Sequence, residues 1–510
     1  MKDGSIANAV APGWTPDHAP ARKRGILARP AVAVLSSYPP RECGIATFAR
    51  DLIGAIESTS HLRHLTRLPT SHPWVIAINE AGQSYDYESR VRWTIDRDDR
   101  ASYRRVADEI NRSHVRVVSI QHEYGLYGGE DGEYLLDFME QVRRPIVLTM
   151  HTVLEHPTPS LRLTTEHLIN QSDAVVVLAE SAREILATSY RRARLDKLQL
   201  IHHGTPTVRF EATKRHQRRM GLDGHTVLST FGLLGPDKGI EYAIRALPEI
   251  VAQHPEVVYL ILGQTHPGQR RFAGESYREM LKSLVDELDL RDHVRFYNHY
   301  LSTEELIRFL RATDVYVMPY LNPEQIVSGT LAYAVACGKA IVATPFTYAR
   351  EMLGEERGML ARFRDPQSIS TAVNTLLDDP TGMADMQLRA FNHGRRMHWP
   401  AVGTSYCRLY QRVIDDYHTR LRESAHAARR RAVVGRRLSP SRPAVAAATA
   451  LGLAPGRGAP PRAATAALGT GLRSRLDMGL SALSGSGLRG GGLASVGGLP
   501  GEPPLPPPLV

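Results

Sequence analysis

Short runs of apolar, mostly β-branched residues recur along this chain, and most are followed by a loop and a segment of helical periodicity. Five lie in the first half, at 31–37, 115–120, 145–150, 174–178 and 198–201. After a charged segment, five more lie at 227–231, 257–263, 294–297, 315–318 and 340–343. Strands that alternate with helices predict a doubly wound parallel sheet. Two such series predict two α/β domains, joined near residues 204–219.

The remaining segments complete the predicted organisation. Residues 1–29 are expected to form a flexible leader, and residues 399–424 an amphipathic C-terminal helix. Residues 425–510 are rich in Arg, Ala, Gly and Pro and nearly free of aromatic residues, so we expect this tail to be disordered. Ligands of open α/β sheets bind beyond the carboxyl ends of the strands. Two such domains, at 30–204 and 205–398, therefore predict a ligand-binding cleft between them.

Cysteine usage and hydropathy favour a cytoplasmic protein. The three cysteines, Cys43, Cys337 and Cys407, lie far apart and form no C-x-x-C pair. This spacing argues against a disulfide framework and a zinc site. No apolar run reaches the ~18 residues that a membrane span requires.

The net charge of +10 is concentrated in the tail. Residues 425–510 hold eleven arginines, no lysine and two acids, which gives them +9 and leaves +1 for residues 1–424. A basic face for nucleic acid is therefore not implied, and we expect no nucleic-acid partner. We interpret the tail first as a solvated segment, with weak contact to an anionic membrane surface or to nucleic acid as the minority interpretation.

The stretch from Pro319 to Pro345 carries the clearest chemical signal. A strand ends at Pro319, and the loop that follows holds one carboxylate, Glu324. Ser328, Gly329 and Thr330 are small residues suited to opening a helix, whose free N–H groups can hold an anion such as phosphate. The plain alternative is a well-packed core helix with a serine cap.

Other polar residues also follow predicted strands. His151 stands at the end of one strand, Lys238 lies in a loop that precedes a helix, and Gly44 permits a tight turn before another helix. His122 and Glu123 are interpreted as structural or acceptor-side residues. His202 and His203, in the predicted linker, are interpreted as structural. A further helix is expected from Ser181, with Glu184 completing a capping box.

These parts together resemble the retaining glycosyltransferases of the GT-B type, in the group 1 (family 4) class. The resemblance covers roughly residues 30–418. It rests on P-D-K-G-I around Lys238, on Glu324 followed by S-G-T and A-C-G-K, and on the T-M-H-T segment that contains His151. It implies two Rossmann-like domains, with the acceptor on the N-terminal side and a nucleotide-sugar donor on the C-terminal side.

The resemblance also implies roles for particular residues. Lys238 would neutralise the diphosphate leaving group, Glu324 would hold the donor sugar, and His151 would contact that sugar from the N-terminal domain. Donor-binding positions would be Gly44, Gly232, Gly239, Ser328, Gly329 and Thr330. The donor would be a UDP- or GDP-sugar, the acceptor a carbohydrate or glycolipid, and neither a metal nor another cofactor would be required.

Two departures from the family pattern stand out. Many members carry an arginine five positions before the lysine, where this chain has Leu233, and Arg41 is a candidate substitute. The second glutamate of the family, which usually holds the ribose, falls where this chain has Ala332 and Tyr333. Three interpretations remain open: an active glycosyltransferase of a divergent subgroup, a sugar-nucleotide epimerase or phosphorylase of the same architecture, and an inactive nucleotide-sugar-binding relative.

Overall fold

Two parallel sheets organise the molecule. The structure, a computed structural model, describes residues 31–59 and 72–438. The predicted leader and the predicted tail beyond residue 438 lie outside the described residues. One unit of the fold, up to Ala425, contains both sheets, and the other begins at His426.

The N-terminal sheet has seven strands in the order β3-β2-β1-β4-β5-β6-β7. Its strands are β1 (Val32–Ser36), β2 (Trp74–Asn79), β3 (Val91–Asp96), β4 (Val117–His122), β5 (Ile146–Met150), β6 (Ala174–Val177) and β7 (Leu198–Leu200). Its helices are α1 (Gly44–Ser58), α2 (Arg100–Arg112), α3 (Tyr134–Gln141), α4 (Pro159–Gln171) and α5 (Glu180–Ser189). The strand order reverses between β1 and β4, so a crevice for a ligand is expected where these two strands end.

The C-terminal sheet has six strands in the order β10-β9-β8-β11-β12-β13. Its strands are β8 (Thr226–Phe231), β9 (Val257–Leu262), β10 (Val294–Tyr297), β11 (Val315–Met318), β12 (Ala340–Ala343) and β13 (Met359–Leu360). Its helices are α6 (Thr213–Arg219), α7 (Ile240–Gln253), α8 (Pro267–Ala273), α9 (Ser276–Glu287), α10 (Thr303–Ala312), α11 (Gly329–Ala336), α12 (Thr347–Leu353), α13 (Pro366–Asp378) and α14 (Pro380–Gly394). Here the order reverses between β8 and β11, the two strands that precede Lys238 and Glu324.

Apolar burial and side-chain caps explain why these segments form. Strands β1, β4, β9 and β11 are buried along their whole length, as expected of parallel strands with helices on both faces. Ser302 and Glu305 form a capping box at the start of α10. Ser328 caps α11 by accepting a hydrogen bond from the Leu331 N–H. The two-domain α/β prediction is confirmed.

The last helix, α15 (Trp399–Leu438), follows the C-terminal domain in sequence but packs on the N-terminal one. The Tyr406 hydroxyl lies 2.9 Å from Thr149 Oγ1 on β5, and the Tyr410 hydroxyl donates to Ser119 Oγ on β4 at 2.8 Å. The helix continues 14 residues past the predicted end at residue 424. None of the described helices is long and apolar enough to cross a bilayer.

The N-terminus of α5 is capped from the other domain. The carboxylate of Glu351, on α12, accepts hydrogen bonds from the Glu180 N–H at 2.9 Å and the Ser181 N–H at 3.0 Å. It also accepts one from the Ser181 hydroxyl at 2.8 Å. The capping box predicted between Ser181 and Glu184 is wrong, because α5 begins at Glu180 and has no cap from its own side chains.

Candidate active site

Two loops meet at the carboxyl ends of β8 and β11. The loop after β8 passes through a short turn, Pro236–Lys238, into α7. Gly239, at the turn's end, has a φ of 59°, and a Cβ there would lie 2.2 Å from the Pro319 carbonyl oxygen. Only glycine therefore fits. The Leu321 N–H donates to the Asp237 carbonyl oxygen at 2.9 Å and holds the two loops together.

Lys238 lies over an aromatic ring in this junction. Its Nζ is 4.2 Å from the centre of the Tyr320 ring and 2.9 Å from Asp237 Oδ2. The side chain is 21% exposed. Burial lowers the pKa of Lys238, but Tyr320 and Asp237 outweigh that effect, so its pKa is raised overall. The ammonium group is therefore charged at neutral pH.

The N-terminus of α11 lies beside the same ring. The Tyr320 hydroxyl is 3.1 Å from Thr330 Oγ1, which is 3.0 Å from Ser328 Oγ. A Cβ on Gly232 would lie 3.6 Å from Thr330 Cγ2. The first N–H groups of a helix have no acceptor within that helix. A cation over the ring of Tyr320 and a helix N-terminus beside its hydroxyl thus lie close together, an arrangement that can hold a phosphate-bearing ligand.

Glu324 belongs to the loop between β11 and α11. Its backbone N–H donates to Asn322 Oδ1 at 3.0 Å, and its Oε1 lies 3.9 Å from His156 Nε2 of the N-terminal domain. No hydrogen bond or ion pair joins Glu324 to Lys238 in the described part of the chain. The two side chains belong to loops after neighbouring strands, and Glu324 faces the opposite domain.

The N-terminal side of the site is built around His151. Its Nε2 lies 3.0 Å from Gln121 Oε1, and its ring packs edge-on against Phe48 of α1 at 4.6 Å. Burial, followed by the charges of His203 and His122, lowers the pKa of His151 to about 3. The imidazole is therefore neutral. Gly44, the first residue of α1, has no atom within 4 Å of where a Cβ would stand, so its backbone is open to a ligand.

Phe48 connects this side with the C-terminal domain. Its ring centre lies 4.6 Å from that of His151 and 5.0 Å from that of His203. His203 in turn contacts Gly329, where a Cβ would lie 3.1 Å from Nε2. The rings of Phe48 and His203 thus connect His151 with the start of α11. The position of His203 has no sequence signal that distinguishes it from a structural linker residue.

The two departures from the family pattern have different structural outcomes. Arg41, the candidate substitute for the missing arginine, pairs with Glu80 at 3.4 Å and reaches the Ile78 carbonyl oxygen. Its charge is therefore already partly balanced. Tyr333 places its hydroxyl 3.5 Å from Asp51 Oδ2 of α1, so a carboxylate from the other domain lies next to this position.

Glu123 and His122 lie at the end of β4, close to the His151 loop. Glu123, which is 6% exposed, accepts hydrogen bonds from the Tyr124 N–H at 2.9 Å and the Thr152 hydroxyl at 2.8 Å. Burial raises the pKa of Glu123 to about 7. His122 is 1% exposed, and burial lowers its pKa to about 4. Glu123 thus braces the segment that follows His151.

The glycine-rich loop after β4 is packed rather than open. A Cβ on Gly128 would lie 2.0 Å from the Arg97 carbonyl oxygen, and one on Gly129 would lie 2.7 Å from the Tyr134 ring. These glycines permit close packing of the backbone. Across residues 31–59 and 72–438, no group of three or more His, Cys, Asp or Glu side chains is arranged to hold a metal ion.

Part of the chain matches a known protein family. Residues 214–395 match the family described as "Glycosyl transferases group 1". These residues form a group 1 glycosyltransferase domain. It is 27% identical over 310 residues to a D-inositol 3-phosphate glycosyltransferase from Corynebacterium efficiens, covering 57% of this chain and 70% of that protein. It is 29% identical over 279 residues to a phosphatidyl-myo-inositol mannosyltransferase from Mycolicibacterium smegmatis, covering 54% and 67%.

Solved structures share the fold of this chain. A sucrose-phosphate synthase from Thermosynechococcus elongatus has a TM-score of 0.61 at 17% identity, covering 76% of this chain and 100% of that one. A glycosyltransferase from Rickettsia africae has a TM-score of 0.57 at 13% identity, covering 76% and 99%. The predicted family, GT-B fold and enzyme class are confirmed.

Proposed function

We propose that the enzyme is a retaining glycosyltransferase that moves a sugar from a UDP- or GDP-sugar to a hydroxyl group, without a metal ion. The observation that supports this proposal most directly is the position of Lys238 and the N-terminus of α11 on the two sides of Tyr320. A diphosphate leaving group gains negative charge as its bond to the sugar breaks. An ammonium group and oriented N–H groups stabilise that charge.

Each residue then has one task. Lys238 and the N–H groups of residues 328–330 bind the diphosphate, with Gly232 and Gly239 giving the backbone its close approach. Glu324 accepts hydrogen bonds from the donor sugar and faces the positive charge that develops on the anomeric carbon. His151, neutral at pH 7, contacts the sugar from the N-terminal domain, and Gly44 leaves room for the diphosphate.

The proposed chemistry exchanges one bond at the anomeric carbon. The bond to the diphosphate oxygen breaks, and a bond to the acceptor oxygen forms on the same face, so the anomeric configuration is retained. The acceptor's proton passes to the departing diphosphate. This route needs neither a separate catalytic base nor another cofactor.

The substrates are proposed from the site and from the names of relatives. The Corynebacterium relative is named for inositol 3-phosphate, and the Mycolicibacterium relative for mannosyl transfer to phosphatidylinositol. We accordingly propose a carbohydrate or glycolipid acceptor. The proposal includes a cytoplasmic location and weak contact of the basic C-terminal segment with an anionic membrane surface, and it excludes a nucleic-acid partner.

The test is nucleotide release from a panel of UDP-, GDP- and ADP-sugars, measured with and without EDTA. Release from a UDP- or GDP-sugar that persists in EDTA, with an NMR-assigned product of unchanged anomeric configuration, is expected. Lys238→Ala and Glu324→Ala should each lower the rate of release about 100-fold or more. Turnover that requires inorganic phosphate, or binding without release, would overturn the proposal in favour of a phosphorylase or an inactive binding protein.

A further inference from the structure

His203 is a buried imidazole that reaches the start of α11 from the segment between the domains. It is 9% exposed, and its Nδ1 lies 2.8 Å from the Gly204 carbonyl oxygen. Its Nε2 has no hydrogen-bond partner among the residues that the structure describes. A Cβ added to Gly329 would lie 3.1 Å from Nε2 and 3.3 Å from Cε1. The free nitrogen therefore lies at the N-terminus of the helix.

The surroundings of His203 keep it neutral in the absence of a ligand. The rings of Phe48, Tyr333 and Trp399 surround it, and burial lowers its pKa to about 4 despite the opposing effect of the Gly204 carbonyl. The titratable groups on its neighbouring elements are His151, also neutral, the Tyr333 hydroxyl, and Asp51 and Arg50 of α1 beyond it. The Asp51 carboxylate contacts Arg50 and Tyr333, and it makes no hydrogen bond to His203.

This arrangement has a direct consequence for an anion at α11. With Nδ1–H donating to the Gly204 carbonyl, the lone pair of a neutral Nε2 faces the helix N-terminus. A phosphate oxygen placed there would be repelled by that lone pair. Protonation of Nε2 would replace this repulsion with a charge-assisted hydrogen bond, which is about twice as strong as a neutral one.

We propose that His203 takes up a proton when a nucleoside diphosphate binds, and that its Nε2–H then donates to a diphosphate oxygen at the start of α11. This inference rests on the proposed function, because it assigns a further residue to the same diphosphate site. His203 becomes a third source of positive charge beside Lys238 and the helix N-terminus. It is supplied by the segment between the domains, in a chain whose sequence departs from the expected family pattern at Leu233.

Isothermal titration calorimetry with UDP and GDP tests the inference without relying on turnover. Each titration is run at pH 7.5 in two buffers of different ionisation enthalpy, which gives the number of protons taken up per nucleotide. His203→Gln removes the titrating group, and His202→Gln is the matched control, since His202 is its neighbour in the chain. Proton changes of the nucleotide itself are common to all variants and cancel in the comparison.

We expect the wild type and His202→Gln to take up more protons per nucleotide than His203→Gln. We also expect His203→Gln to bind about tenfold more weakly, the effect of losing one hydrogen bond to a charged group. Equal proton uptake and equal affinity in His203→Gln would overturn the inference. His203→Asn serves as the second variant if His203→Gln unfolds.

The wild type alone provides an independent check. If it binds UDP or GDP and takes up no proton beyond the change expected for the nucleotide itself, the role of His203 is wrong while the diphosphate site stands. If it binds neither nucleotide, the proposed function is wrong, and this inference falls with it. The two failures are therefore distinguishable.

Discussion

Tyr320 lies between Lys238 and the start of α11. One face of its ring lies 4.2 Å from the Lys238 ammonium, and its hydroxyl lies 3.1 Å from Thr330 Oγ1. The ring also stacks on Phe346 at 5.8 Å, which fixes its orientation. Because the Asp237 carboxylate lies at the same ammonium, Tyr320 and Asp237 together set the position of the charge that we assign to the leaving group.

Replacing Lys238 should therefore be much more damaging than replacing Tyr320. Lys238→Ala is expected to lower kcat about 100- to 1,000-fold, the usual effect of removing one transition-state charge stabiliser. Tyr320→Leu removes a cation–π contact of about 0.5–1 kcal/mol together with the hydroxyl beside Thr330, and loss of the cation–π contact should cost about two- to fivefold. Steady-state nucleotide release measures both. Tyr320→Phe, which keeps the ring, is the control, and it should retain more activity than Tyr320→Leu.

Glu324 and His156 form a second pair, and we expect substitution of Glu324 to reduce activity much more than substitution of His156. The His156 side chain is 77% exposed, and the atoms are 3.9 Å apart, so the ion pair itself contributes less than about 1 kcal/mol. His156→Gln should then change kcat/KM less than about fivefold. Glu324→Gln, which removes the carboxylate that we place against the donor sugar, should lower kcat about 100-fold. Comparable losses in both variants would show that Glu324 acts through His156.

The sequence predicted the buried strands better than the edge strands. Ten of the apolar runs correspond to strands, because buried parallel strands are apolar on both faces. Strands β2, β3 and β13 were missed; β3 and β13 lie at the edges of their sheets, whereas β2 is an interior strand. Strand β3, Val91–Asp96, alternates half-buried and exposed residues and has a charge at two of six positions, as expected for an edge strand. The return of α15 to the N-terminal sheet is a long-range contact that local patterns do not encode.

Part of the candidate site has a local geometry that the loop sequence alone fixes, and its role in donor binding stays a prediction. Gly239, Ser328 and Thr330 are short-range features: Gly239 has a positive φ after a turn, and Ser328 caps α11 beside Thr330. Tyr320, His203 and Glu351 were missed because their roles depend on contacts across the chain. Glu351 is 170 residues from Ser181, and no local pattern connects them.

Two substitutions test which residue caps α5: Glu351, as the structure shows, or Glu184, as the sequence predicted. Glu351→Ala removes three hydrogen bonds at the N-terminus of α5, and loss of such a cap typically costs about 1–2 kcal/mol. Glu184→Ala, on the exposed face of the same helix, should change the free energy of unfolding by less than about 0.5 kcal/mol. Urea unfolding measures both. If Glu184→Ala destabilised the protein more than Glu351→Ala, the result would support the capping box predicted from the sequence.

Glu123 should make stability depend on pH. Its pKa is about 7 in the folded state and about 4.3 in an unfolded chain, so the folded state holds an extra proton between these values. The contribution of Glu123 to the free energy of unfolding is therefore largest below about pH 4, and it is lost as the pH rises toward 7. The loss is of the order of 3 kcal/mol.

Glu123→Gln isolates this effect. The amide keeps the shape of the protonated carboxyl and does not titrate, so the variant should become more stable relative to the wild type as pH rises from 5 to 8. Urea unfolding at four pH values gives the difference, in which all other titrating groups cancel. A difference that stays constant with pH would mean that Glu123 is ionised in the folded protein.

Gly204 should be intolerant of even a methyl group. It lies where α15 begins its return to the N-terminal domain, and a Cβ there would lie 2.1 Å from Cζ3 of Trp399. Trp399 also packs against Phe48 and His203, so it has no free space into which to move. Overpacking of this kind costs about 1–3 kcal/mol. Gly204→Ala should therefore lower the midpoint of thermal or urea unfolding clearly.

The matched control for Gly204 is Gly54, on the exposed face of α1. A Cβ on Gly54 meets no atom within 4 Å, and alanine is favoured over glycine inside a helix by about 0.5–1 kcal/mol. Gly54→Ala should therefore stabilise the protein slightly. Trp399→Leu combined with Gly204→Ala should destabilise less than the sum of the two single changes, because the smaller side chain relieves the clash. Strict additivity would show that Gly204 and Trp399 are not in contact.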